Sequence, residues 1–76
     1  MAETRASYYG VKPGALAART KRLQARARAA IAEISTLWDE NFQSLSMDAE
    51  LLLERIDELT PVIEEGVTYL REPIDG

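Results

Sequence analysis

The sequence predicts an all-α fold: an antiparallel two-helix hairpin, its second helix kinked or split at Pro61, with an extended N-terminal arm. Three observations carry that prediction. Residues 15–43 contain neither proline nor glycine and are rich in alanine, arginine, leucine and glutamate, all strong helix formers. Apolar residues recur at steps of three and four along two long stretches. Charge is also split along the chain. Seven of the nine basic residues lie in the first thirty positions against Glu3 alone, whereas the other twelve carboxylates lie beyond them with only Arg55 and Arg71. A net of about +6 is followed by about −10, which the overall −4 conceals.

Residues 1–13 read as the arm. Gly10 and the Pro13-Gly14 pair punctuate it, and Pro13 biases Lys12 away from helical backbone. Its bulky neighbours Tyr8 and Tyr9 cannot share one face of an extended strand.

The first helix is expected from about Ala15 to Gln43. Its stripe comprises Leu23, Ala27, Ala30, Ile31, Ile34, Leu37, Trp38, Phe42 and Leu45, with Arg22, Arg26, Arg28, Glu33 and Glu40 mostly off it. Residues 41–46 are the expected turn, with Ser46 capping the next helix and Asp48 and Glu50 complementing its dipole.

The second stripe is Ala49, Leu52, Ile56, Leu59, Ile63, Val67 and Leu70. Pro61 interrupts it, because proline removes one backbone hydrogen bond and crowds the carbonyl four residues back. The stripe keeps phase across the break, which favours one kinked element ending near Arg71, where Glu72-Pro73 stops it. The organisation is therefore an arm over 1–13, a helical hairpin over 14–72 and a tail over 73–76.

Helices joined by a short turn fold back on one another. A turn centred near Ser46 sets Arg28 opposite Glu64, Lys21 opposite Arg71 and Leu37 opposite Arg55. The basic stretch 19–28 then lies beside Glu64, Glu65 and Glu72, where exposed ion pairs select register more than they add stability. Two helices cannot cover both stripes, since Leu51 and Leu53 widen the second. Such a hairpin is expected to pair with a copy of itself or to dock on a larger body.

Composition narrows the function. The chain has no cysteine and no histidine, which removes disulfides, thiolate sites and zinc ligation of the usual kind. No apolar run approaches the roughly 18–20 residues of a membrane span, and the N-terminus lacks the pattern of a secretory signal. Glycine-rich phosphate loops and nucleophile–base arrangements are absent from the sequence, so neither an enzyme nor a bound cofactor or metal is expected. The neighbouring carboxylates Asp39/Glu40, Asp57/Glu58 and Glu64/Glu65 point about 100° apart on a helix and do not converge as acid–base pairs. Glu50, Glu54, Asp57 and Glu58 share a face that reads as solvated.

Two candidate surfaces remain. Tyr8, Tyr9, Trp38, Phe42, Leu51, Leu53, Val67 and Leu70 are the candidate protein interface, since aromatic anchors and excess apolar surface mark binding sites. Core packing is the competing account of Trp38 and Phe42. Arg19, Lys21, Arg22, Arg26 and Arg28 form a basic face that could follow phosphates, with internal pairing to the acidic helix as the alternative. No aromatic residue interleaves that run for base stacking. The Trp38-Asp39-Glu40 step lacks the glycine of the WXG family of helical hairpins, and no family resemblance assigns a residue here a role.

The expectation is thus a non-enzymatic assembly or accessory subunit with a protein partner, either self or a larger complex such as a virion-like particle. A small nucleic-acid-binding or regulatory module is the second reading. The absence of cysteine fits the cytoplasm or an assembled particle.

Overall fold

A computed structural model describes residues 3–74. The described residues are helical throughout, with no strand beyond one isolated bridge: α1 Arg5–Tyr9, α2 Pro13–Trp38, α3 Gln43–Asp57 and α4 Leu59–Arg71. The long helix α2 packs along both α3 and α4, and α1 sits against α4.

Residues 5–9 depart from the extended arm expected over 1–13. Thr4 adopts extended backbone and its hydroxyl accepts the Ser7 amide at 3.1 Å, while Gly10 closes α1 in the left-handed region at φ 69°. A side-chain oxygen before the first turn and a glycine after the last are strong local stops, and they hold even five residues helical. Tertiary contacts supply the rest. Thr4 bridges Pro73, the Ile74 amide donates to the Glu3 carbonyl at 2.8 Å, and Arg5 pairs with Glu72 at 2.9 Å. The Arg5 guanidinium also lies 4.2 Å from the centre of the Tyr69 ring, a cation–π contact. Ala6 is buried beneath this clasp. Of the tail expected over 73–76, the described part, Pro73 and Ile74, belongs to the clasp; the remainder lies outside the described residues.

Helix α2 starts with Pro13 in its first turn, where the missing N–H is no loss, and Lys12 before it is extended. It ends at Trp38, earlier than the expected Gln43. The Asn41 side chain donates to the Leu37 carbonyl at 2.9 Å and the Phe42 amide to the Trp38 carbonyl at 2.8 Å, which closes the turn at residues 39–42. Ser46 consequently does not cap α3; it lies inside the helix and is buried.

Pro61 lies two residues inside α4, and α3 ends four residues before it, at Asp57. That is the carbonyl a proline ring crowds and the one its missing N–H leaves unpaired. The connecting Glu58 keeps near-helical backbone (φ −65°, ψ −16°), so the two helices meet at a bend.

The cross-contacts run in opposite directions along the two layers. Lys21 Nζ meets Glu64 at 2.7 Å, Gln24 donates to the Thr60 hydroxyl at 3.1 Å, Arg28 meets Asp57 at 2.9 Å, and Ser35 meets Ser46 at 2.9 Å. Residues near the middle of α2 thus lie level with partners whose number, added to theirs, comes to about 84. The expected turn at Ser46 placed Arg28 opposite Glu64 and Lys21 opposite Arg71; the earlier turn moves each partner back by about seven residues, two helical turns. Leu37, expected opposite Arg55, is exposed near the end of α2. The molecule measures 60 × 17 × 13 Å.

Candidate interaction surface

The seam between the layers is made of small and medium side chains. On α2 it follows Pro13, Ala17, Thr20, Gln24, Ile31 and Ser35. On α3 and α4 it follows Ser46, Ala49, Leu53, Ile56, Thr60, Ile63, Val67 and Leu70. Apart from Thr60, these residues are buried or half-buried, as are Ala32 and Leu45 beside them, and Gln24 reaches across to the Ile56 carbonyl at 2.7 Å as well as to Thr60. Steps of three and four alternate from Ser46 to Leu70, a heptad spacing that passes through the bend in phase. Ser35, Ser46 and Ala49 are the buried residues of the seam, because small side chains let two helix backbones approach closely.

This placement keeps Ile31 and Leu45 of the first expected stripe and Ala49, Ile56, Ile63, Val67 and Leu70 of the second on the buried side, and corrects the rest. Leu23, Ile34, Leu37, Trp38 and Phe42, expected on the buried side of the first helix, are all exposed. On α3 the seam takes Leu53 and leaves Leu52 exposed, the reverse of the expected order. Leu59 is likewise exposed.

The displaced leucines form a pattern. Leu16, Leu23 and Ile34 each immediately precede a seam residue on α2, and exposed Leu52 and Leu59 and half-buried Leu45 do the same on α3 and α4. One residue is a rotation of about 100°, so each set lies along one flank of its helix. Residues that follow the seam, Lys21 on α2 and Asp57 and Glu64 on the other layer, meet in ion pairs on the opposite face. The leucines that precede the seam therefore share a face, an apolar plane across both layers that Val62 extends. At its clasped end Pro13, Leu16, Ala17, Ile63, Val67 and Leu70 line a shallow recess of about 160 Å³ beside Gly66.

The other candidate residues divide clearly. Tyr8 and Tyr9 stand edge to face, 5.3 Å between ring centres, and are 66% and 61% exposed at the clasped end. Trp38 and Phe42 flank the turn at the other end, and Leu51 is exposed on the outside of α3. Leu53, Val67 and Leu70 are half-buried in the seam and the recess.

Of the five basic residues, Lys21 and Arg28 are occupied. Asp57 holds the Arg28 guanidinium above its ordinary pKa through a hydrogen bond and its charge. The Lys21 hydrogen bond and charge, with a smaller effect of Arg71, hold Glu64 below its ordinary value against a slight opposing desolvation. Arg19, Arg22 and Arg26 make no ion pair among the described residues and surround exposed Leu23.

No helix is long and apolar enough to cross a membrane among the described residues. No family model, curated protein or solved structure matches the chain.

Proposed function

We propose that this chain is a non-enzymatic assembly subunit, a small helical hairpin that packs in a homo-oligomer or docks on a larger complex such as a virion-like particle. The observation that supports this is its surface. A compact monomer of this mass exposes about 4,650 Å², whereas the chain exposes 6059 Å². Its radius of gyration is 17.5 Å, against about 11 Å for a compact domain of this length. Among the described residues no large side chain is fully buried. A fold with so little interior is supported by association, as small domains without crosslinks commonly are. Sedimentation equilibrium of the purified chain tests the proposal. The expected result is a defined assembly, or a weakly ordered chain that gains cooperative unfolding only with its partner. A monomer that unfolds cooperatively at micromolar concentration overturns it.

One observation favours a second reading, a nucleic-acid contact: Arg19, Arg22 and Arg26 form an exposed basic stripe without acidic partners among the described residues. Three phosphate contacts imply a slope of log K against log salt of about −3 for duplex DNA. Replacing all three with glutamine should abolish that binding while helicity is retained. Affinity that does not respond to salt excludes this reading.

A further inference from the structure

We infer that the apolar plane is covered by a second copy of this chain, related by a two-fold axis along the 60 Å length, so that α2 of each copy lies over α3 and α4 of the other. This rests on the assembly reading above and names its partner and geometry. The excess surface sets the scale. The chain exposes about 1,400 Å² more than a compact monomer of its mass, and a standard interface takes about 800 Å² from each partner. Leu16, Leu23, Ile34, Leu52, Leu59 and Val62, between 42% and 55% exposed, form the apolar part of such an interface on one face.

Charge selects the occupant and its orientation. Helix α2 carries Arg19, Lys21, Arg22, Arg26 and Arg28 against Glu33 alone, whereas α3, α4 and the connecting Glu58 together carry seven carboxylates against Arg55 and Arg71. Two copies can stack these planes with two-fold symmetry in two ways. If the axis crosses the long direction, α2 lies on α2 and the acidic layer on the acidic layer, and the arginines of both copies gather at the middle. If the axis runs along the length, basic helix faces acidic helix twice, and the level relation seen within one copy recurs between copies. Leu23 then lies level with the partner's Leu59, Arg26 with the partner's Glu58 and Arg19 with the partner's Glu65. Like charges face to face destabilise a contact, whereas opposite charges set both encounter and register. The two-fold contact also closes on itself and leaves no free copy of the plane.

The orientation is measurable because the chain has no cysteine of its own. Glu40 is exposed in the turn at one end of the molecule. A spin label at Glu40→Cys should report one distance of about 20–35 Å between copies, because both turns lie at the same end; the crossed arrangement separates them by roughly the molecular length. Charge exchange supplies the second arm. Arg26→Glu or Glu58→Arg alone should weaken dimerisation about tenfold, with two equivalent contacts affected, and the double exchange should restore it. A dimer with a label distance near 60 Å, or single and double exchanges that weaken it equally, overturns this geometry and leaves the assembly reading standing. A chain that stays monomeric to about 100 μM yet folds with a different protein overturns self-pairing alone. A cooperative monomer overturns both.

Discussion

The pair Ser35 and Ser46 offers the sharpest test of the seam. Their hydroxyls lie 2.9 Å apart, and Ser35 Oγ also sits 3.4 Å from the Ser46 carbonyl. The two residues are 8% and 2% exposed. Removing one partner of a buried hydrogen bond leaves the other unsatisfied, at about 1–3 kcal/mol, whereas removing both is nearly neutral. Ser35→Ala strands the more deeply buried Ser46 hydroxyl and should lower stability by about 1.5–2 kcal/mol. Ser46→Ala should lower it less, by about 1 kcal/mol, because Ser35 retains the backbone carbonyl as acceptor. The double variant should lie within about 0.5 kcal/mol of the parent, a coupling of roughly 2 kcal/mol. In a domain of this size each kcal/mol moves Tm by about 4–8 °C. Thermal unfolding followed by circular dichroism resolves the cycle, provided chain concentration is fixed, since association makes Tm depend on it. If the double variant loses as much as the two single variants together, the hydroxyls are not paired and the seam does not run through them.

Three further expectations follow from the same geometry. A methyl group added at Gly66 meets nothing within 4 Å, so Gly66→Ala should stabilise α4 by about 0.5–1 kcal/mol and raise Tm by several degrees; a lower Tm would mean that the notch is filled. Thr4→Ala removes the cap of α1 at about 1 kcal/mol, and amide exchange at Ser7 to Gly10 should accelerate while the middle of α2 is unchanged. The Glu64 carboxylate, held below its ordinary pKa by Lys21, stabilises the fold above the usual carboxylate range, and that contribution fades as pH falls through its lowered value. Acid titration of Glu64→Gln should therefore show a shallower loss of Tm below about pH 4–5 than the parent; identical profiles would refute the pairing.

The helical class, the bend at Pro61 and the end at Arg71 were legible because each rests on a local rule: unbroken helix formers, a missing N–H, a proline after the last turn. Five of the seven positions of the second expected stripe, Ala49, Ile56, Ile63, Val67 and Leu70, lie in the seam, whereas Leu52, Leu59 and most of the first stripe turn outward for a different reason. The expected stripes rank positions by apolar size, which places the largest side chains of α2 inside. Close approach of two helices instead selects small residues, so Ala17, Ser35, Ser46 and Ala49 took the seam while Leu16 and Ile34, one position before Ala17 and Ser35, turned outward. Of the alternating steps from Ser46 to Leu70, Ala49, Ile56, Ile63, Val67 and Leu70 are legible as an apolar stripe, whereas Ser46 and Thr60 carry no hydrophobic signal and Leu53 competes with Leu52. The turn was set too late because Ser46 reads as a cap, whereas Asn41 closes α2 through a carbonyl four residues back. Helix α1 escaped notice because five residues carry no periodicity, and its clasp to Glu72 and Pro73 depends on chain separated by more than sixty positions. Among the candidate contacts, Tyr8, Tyr9, Trp38, Phe42 and Leu51 are exposed, Leu53, Val67 and Leu70 are half-buried, and Arg19, Arg22 and Arg26 separate from Lys21 and Arg28 only once the layers are aligned.

The bridge between Thr4 and Pro73 makes the described backbone nearly a closed loop, residues 3–4 fastened beside residues 73–74. A linker of a few glycines could seal that loop, and the backbone could then be opened in the far bend near Asn41 without cutting any helix. Such a rearranged chain would trade an entropic clasp for a covalent one, and cargo fused to its new ends would project from the opposite pole.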